Sequence, residues 1–202
     1  MSTLSTTNVK NPSSGSNNIV LAADGSTTIT TLTGTTITGT SVRGGITSGT
    51  VVASTSGTSI DFTSIPSYVK RITVMFGGVS TSGTSKVLLQ LGDSGGVETS
   101  GYLGTAVFAD ANQTGTNFSS GFILEEGANA AAIRHGRVVI NLIDAATNAW
   151  AYSGNVARSD QATITVSAGS KALSGALDRV RITTVNGTDT FDAGSINILT
   201  EG

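Results

Sequence analysis

Cysteine is absent from the 202-residue sequence, histidine and tryptophan occur once each, and no aromatic ring precedes Phe62. Without thiols there is no disulfide, no thiol nucleophile and none of the ligands that most structural zinc sites use. One histidine leaves a Ser-His-Asp arrangement only His135 to be built on. Charge is scarce as well. Charged residues make up 12% of the chain, with a net charge of −2 and a pI near 5.2, against roughly 25% in an ordinary domain. No basic stripe is present to neutralise phosphates, which argues against a nucleic-acid partner. The first 18 residues are polar and no apolar run is long enough to cross a bilayer, so neither a signal peptide nor membrane insertion is expected, and synthesis in a cytoplasm is. Gly77-Gly78 and Gly95-Gly96 lack the lysine and the following helix of a phosphate-binding loop, and no cofactor is expected.

Glycine, with 26 residues, serine and threonine dominate instead. Such a composition suits packed β-structure, where threonine is at home. Between residues 177 and 185, Val180, Ile182 and Thr184 alternate with Arg179, Arg181 and Thr183. A period of two places the first set on one face, so this is a half-buried strand. Asn186-Gly187 tolerates positive φ and reads as the turn of a hairpin, residues 191–194 as a corner, and Ile196 and Ile198 as inward positions of the strand that follows. Ile72, Val74 and Phe76 alternate in the same way early in the chain. From residue 57 onward, apolar runs recur every roughly 10–15 residues with Gly, Asn or Asp between them. Ten short strands without a helical period predict an all-β fold, a C-terminal β-sandwich of jelly-roll-like type.

The first 56 residues differ. Residues 1–25 are mostly polar, with one small apolar knot at Ile19-Val20-Leu21-Ala22-Ala23, and read either as a disordered terminus or as an extended arm that orders on a neighbouring protein. Residues 26–41 hold nine threonines in 16 positions. The apolar residues of the 26–56 stretch, Ile29, Leu32, Ile37, Val42, Ile46 and Val51, are spaced three to five apart and fit neither a helix face nor one alternating strand. They are too few to order a monomeric segment. Either this is a flexible linker, or three copies intertwine into a β shaft with those six residues as its thin core. The domains expected are therefore an arm (1–25), a shaft or linker (26–56) and a sandwich (57–202).

Candidate chemistry is sparse. His135, within Arg134-His135-Gly136-Arg137, reads as a structural or surface histidine, with a small basic patch formed with Arg134 and Arg137 as its functional alternative. Glu125-Glu126 precedes Gly127 and reads as a solvated turn. Asn186, Asp189 and Asp192 offer hard oxygens at short spacing, suited to Ca²⁺, but Asx turns explain the same residues more simply. Trp150 and Tyr152 are two apart and share a strand face. They are either core or a platform for stacking on a glycan. No group of residues supplies acid, base and nucleophile together, so no catalytic residues are assigned and no enzyme is expected.

Two segments resemble known proteins. The stretch 57–76, which ends in Arg71-Ile72-Thr73-Val74-Met75-Phe76, resembles the start of a β domain in tail-fibre and other virion appendage proteins of tailed bacteriophages. The stretch 177–198, with Arg179-Val180-Arg181-Ile182-Thr183-Thr184-Val185-Asn186-Gly187, resembles its end. Residues 9–21 resemble the N-terminal arm of short phage virion proteins. The resemblance implies a structural protein on the tail or capsid surface of a virion. It would be a homotrimeric tail fibre attached to other virion proteins through Ile19, Val20 and Leu21, with the sandwich contacting a host-surface glycan. A capsid decoration (cement) protein, a head fibre and a lectin-like module are the alternatives.

Overall fold

A computed structural model describes residues 45–109, 114–125 and 129–202. Among them no helix forms, and the chain runs through fourteen strands: β1 (Ile46–Ser48), β2 (Val52–Ala53), β3 (Ser59–Phe62), β4 (Arg71–Thr81), β5 (Val87–Asp93), β6 (Gly96–Val97), β7 (Leu103–Ala109), β8 (Gly115–Asn117), β9 (Phe122–Ile123), β10 (Arg134–Asp144), β11 (Ala149–Arg158), β12 (Thr163–Ala172), β13 (Arg179–Thr184) and β14 (Phe191–Glu201). Every pairing is antiparallel. The larger sheet has the order β1-β14-β4-β10-β11-β12-β7-β8, with β2 also on β14. The smaller has the order β3-β13-β5-β6, with β9 also on β5. The fold is all-β, as composition and alternation predict.

Alternation explains how the sheets face each other. Ile72, Val74 and Phe76 of β4, Val138 and Ile140 of β10, and Ile196 and Ile198 of β14 meet Val87, Leu89 and Leu91 of β5 and Val180 and Ile182 of β13 in one core. Four rings close its β7–β12 flank. Phe122 stacks on Tyr152 at 4.3 Å between centroids, and meets Tyr102 and Phe118 edge-on at 4.9 and 5.7 Å. The outermost strands β1, β2, β3, β6 and β8 are two to four residues long, which leaves little open ladder to recruit foreign strands.

Three expectations need correction. Asn186-Gly187 is a turn, with Gly187 at φ +68, but not a hairpin turn. β13 already pairs β3 on one side and β5 on the other, so the chain leaves it for the opposite sheet and becomes β14. The expected corner at 191–194 lies inside β14, whose pairing with β4 shifts register between Phe191 and Ala193 and again between Ala193 and Ser195. Gly194, at φ +89 and packed against the Gly78 backbone, makes that irregularity sterically allowed. Finally, the sheet begins before residue 57. β1 and β2 add to β14, and Ser54 is buried, donating to the Ala193 carbonyl at 2.7 Å. Residues 46–53 thus belong to the sandwich rather than to a separate shaft.

Candidate functional site

Trp150 and Tyr152 do share a face of β11, but it is the inward face. Both are buried, and the Tyr152 hydroxyl lies 2.8 Å from Ser167 Oγ between the sheets. Neither ring is free to stack on a sugar. Burial pushes the Tyr152 phenol well above its ordinary range.

The Arg134–Arg137 stretch divides between the two faces of β10. Arg134 points inward and pairs with Glu125, which is also fully buried and lies 3.5 Å from the Arg158 guanidinium. Glu125 is therefore part of a core ion network, not a solvated turn. Burial pushes its carboxyl upward, opposed by Arg134 and Arg158. Arg158 continues to Asp160, whose carboxyl it holds down at about 2 with help from the Ile133 N–H. Glu126 lies outside the described residues.

His135 and Arg137 face outward, so His135 is a surface histidine, but buried Arg134 cannot join them in a basic patch. The His135 Nδ1 accepts the Gly78 N–H at 3.2 Å, and Nε2 lies 3.2 Å from Ser159 Oγ. In the neutral ring the proton then sits on Nε2, which donates to Ser159 and has no lone pair left to take its proton. A hydrolytic dyad requires the opposite tautomer, fixed by an acceptor at Nδ1.

The oxygens of Asn186 and Asp189 are occupied by local donors. Asn186 Oδ1 accepts from the N–H groups of Thr188 and Asp189 and from the Thr184 hydroxyl. Asp189 accepts the Ser85 N–H at 2.9 Å and the Asn186 amide at 2.7 Å. This is the Asx-turn arrangement, and these bonds hold the Asp189 carboxyl below the usual range. Asp192 is exposed on β14. Among the described residues no three His, Cys, Asp or Glu side chains cluster as metal ligands do.

Of the six shaft positions, Ile46 and Val51 are described, and they are 67% and 60% exposed. Ile29, Leu32, Ile37 and Val42, and the attachment residues Ile19, Val20 and Leu21, lie outside the described residues.

One surface stands out that the sequence did not single out. The solvent side of the larger sheet carries Leu103, Val107, Ile164 and Val166 on the neighbouring strands β7 and β12, with Leu103 70% and Val166 50% exposed. Val107 and Val166 are direct cross-strand partners. The row continues through Asn155 and Arg137 to Met75 and Asn197. The next row but one joins Ile46 of β1, through Glu201, Arg71, Asn141, Ala151 and Ser170, to Leu103. An open groove of about 340 Å³ runs along this face between Arg137, Val139, Ser153, Asn155 and Val166. Arg71 pairs with Glu201 at 3.6 Å, whereas Arg137 has no ion-pair partner among the described residues. The available signal was in β7, where Leu103, Val107 and Ala109 lie on the face opposite inward Ala106 and Phe108.

No family model, curated protein or solved structure matches the chain. Among the described residues no helix is long and apolar enough to cross a membrane.

Proposed function

We propose that the chain is a non-enzymatic structural subunit of a tailed-bacteriophage virion, a homotrimeric tail fibre or appendage. Its N-terminal arm attaches it to other virion proteins, and its β-sandwich is presented for host-surface contact. The observation that carries the assembly reading is the outer face of the larger sheet. Apolar side chains on adjacent strands, few charges and one arginine with no ion-pair partner among the described residues make a surface suited to burial against another chain rather than to water. The exposure of Ile46 at the far flank of that face extends the same argument toward the N-terminal segment. The His135 tautomer and the internal pairing of Glu125 support a role without catalysis. The resemblance of residues 57–76 and 177–198 to phage appendage domains supplies the virion and the three-fold symmetry.

Sedimentation of the full chain tests the assembly. A species of three times the 20.2 kDa chain mass is expected at micromolar concentration, and a clean monomer overturns the trimer. Gold labelling of the N-terminal arm on intact particles tests the location. Label on the tail supports the fibre, label over the head lattice turns the reading to a capsid decoration protein, and unlabelled particles overturn the virion role.

A further inference from the structure

The outer face of the larger sheet carries an apolar group at each end. At the β7–β12 end, Leu103, Val107, Ile164 and Val166 stand out from neighbouring strands. At the β1–β2 end, Ile46 and Val51 are the exposed apolar side chains. Ile46 lies in register with Glu201 and, through it, with the row that reaches Leu103, so both groups face the same way. Val52 packs against the core, and alternation turns Val51 to the other side. Six strand steps separate β1 from β7, roughly 30 Å at the ordinary strand spacing. Between them the side chains are small, with Ala151, Ser153, Ala168 and Ser170 in the middle of the face. One chain therefore cannot bring its own two apolar groups together.

Each end also carries a charge that the chain does not answer. Among the described arginines only Arg137 has no ion pair, and it lines the groove of about 340 Å³ that Val166 also borders. Among the described carboxylate side chains only Asp192 has neither an ion pair nor a hydrogen bond. The others are held by arginines, by Lys171, or by nearby N–H and hydroxyl groups. Asp192 follows buried Phe191 on β14, is exposed, and lies beside the point where Ser54 bonds to Ala193. Within one chain the two charges are held apart. Arg137 lies in register with Asn197, two strands over, and Asp192 is five residues farther along β14, roughly 15 Å. One end thus joins an apolar group to a cation, and the other joins an apolar group to an anion.

We propose that these two ends are complementary halves of one contact between copies of this chain. The β7–β12 end of one copy, with Arg137, receives Ile46, Val51 and Asp192 of the next. The opposite charges set the orientation, and the apolar groups supply the burial. A contact between two different patches repeats from copy to copy and closes into a ring when its rotation allows. This pairing rests on the assembly reading above and adds the surface that meets the β7–β12 end. A second copy fits better than an unrelated partner because the chain itself carries the matching group, an apolar pair and an unpartnered carboxylate.

Sedimentation equilibrium of the full chain and of charge-reversed variants reads the contact. Both side chains are exposed and neither forms a bond among the described residues, so Arg137→Glu and Asp192→Arg are expected to keep the parent's circular dichroism spectrum. Each sets like charges against one another and is expected to weaken self-association at least about tenfold. The double variant, with both reversals, is expected to recover most of that loss. Ile46→Glu is expected to weaken association as well, and unchanged association there overturns the placement of the β1–β2 end. Association of the parent is expected to fall as salt rises, and salt-independent association overturns the pairing even if a variant fails to fold. A parent that is monomeric at micromolar concentration overturns the assembly and the pairing together. An associated parent that neither reversal moves, or single losses that the double variant does not recover, overturns the pairing and leaves the assembly standing.

Discussion

The two sheets of this sandwich share one core but present opposite outer faces. On the smaller sheet, Arg181 of β13 makes two hydrogen bonds with Asp61 of β3, at 2.6 and 3.0 Å, Arg179 pairs with Asp178, and Gln90 donates to the Ser120 carbonyl. Its polar groups answer one another within the chain. On the larger sheet, Leu103, Val107, Ile164 and Val166 face outward and Arg137 has no such answer among the described residues. The same strand chemistry thus pairs one surface internally and leaves apolar side chains exposed on the other. On the outer face of the smaller sheet the arginines of β13 find carboxylate partners and Leu88 is covered, whereas on the larger sheet Leu103 and Val166 stay exposed.

The comparison depends first on the inward side being correctly placed. Ile182 lies fully buried on β13, opposite in parity to Arg181. Ile182→Asp buries an unpaired carboxylate and is expected to unfold the sandwich, a loss of more than about 4 kcal/mol. A urea midpoint near that of the parent would show the faces to be reversed.

Two arginines three residues apart on β10 sharpen it. Arg134→Met leaves Glu125 buried with only Arg158 beside it and is expected to cost about 3 kcal/mol. Arg137→Met, on the outer face, is expected to change monomer stability by no more than about 0.5 kcal/mol. Equal effects in chemical denaturation would erase the distinction between the two sides of the strand.

A charge introduced into the exposed patch tests the apolar face itself. Val166→Glu is expected to leave the circular dichroism spectrum and monomer melting unchanged, yet to move the sedimentation equilibrium toward monomer at micromolar concentration. Retention of the trimer would place the contact elsewhere. On the smaller sheet's outer face, Asp61→Asn breaks an exposed pair and is expected to cost only about 0.2–1 kcal/mol, less in high salt.

The smallest effect is a pH dependence at Asp160. Its carboxyl is held at about 2 by the Arg158 guanidinium and by the Ile133 N–H, below the ordinary value near 4. The charged form favours the folded state, so its contribution is complete above about pH 4 and is lost as pH falls toward 2. Urea midpoints at pH 5, 3 and 2 should decline less steeply in Asp160→Asn than in the parent.

The sequence by itself determined the strands and most of their faces. Alternation in 71–76, 179–184 and 195–198 is a local property, because successive side chains of any extended chain point to opposite sides. It therefore located Ile72, Val74, Phe76, Val180, Ile182, Ile196 and Ile198 in the core. Alternation says nothing about which strands pair, and so Asn186-Gly187, a good hairpin turn by residue type, turned out to carry the chain between sheets. It also leaves open which of two faces goes in. In β12, Thr165 and Ser167 point inward while Ile164 and Val166 point out. The reason is tertiary. The rings of Phe118, Phe122 and Tyr152 fill the space above that flank, closely enough that a Cβ on Gly169 would crowd Phe118, and the room that remains admits only small side chains. Glu125 follows the same logic: its neighbours in sequence read as a solvated turn, and only the fold brings Arg134 and Arg158 to it. Burial and pairing partners arise from distant segments, which no local pattern encodes. The outer apolar face therefore became visible only once the sheets were assembled.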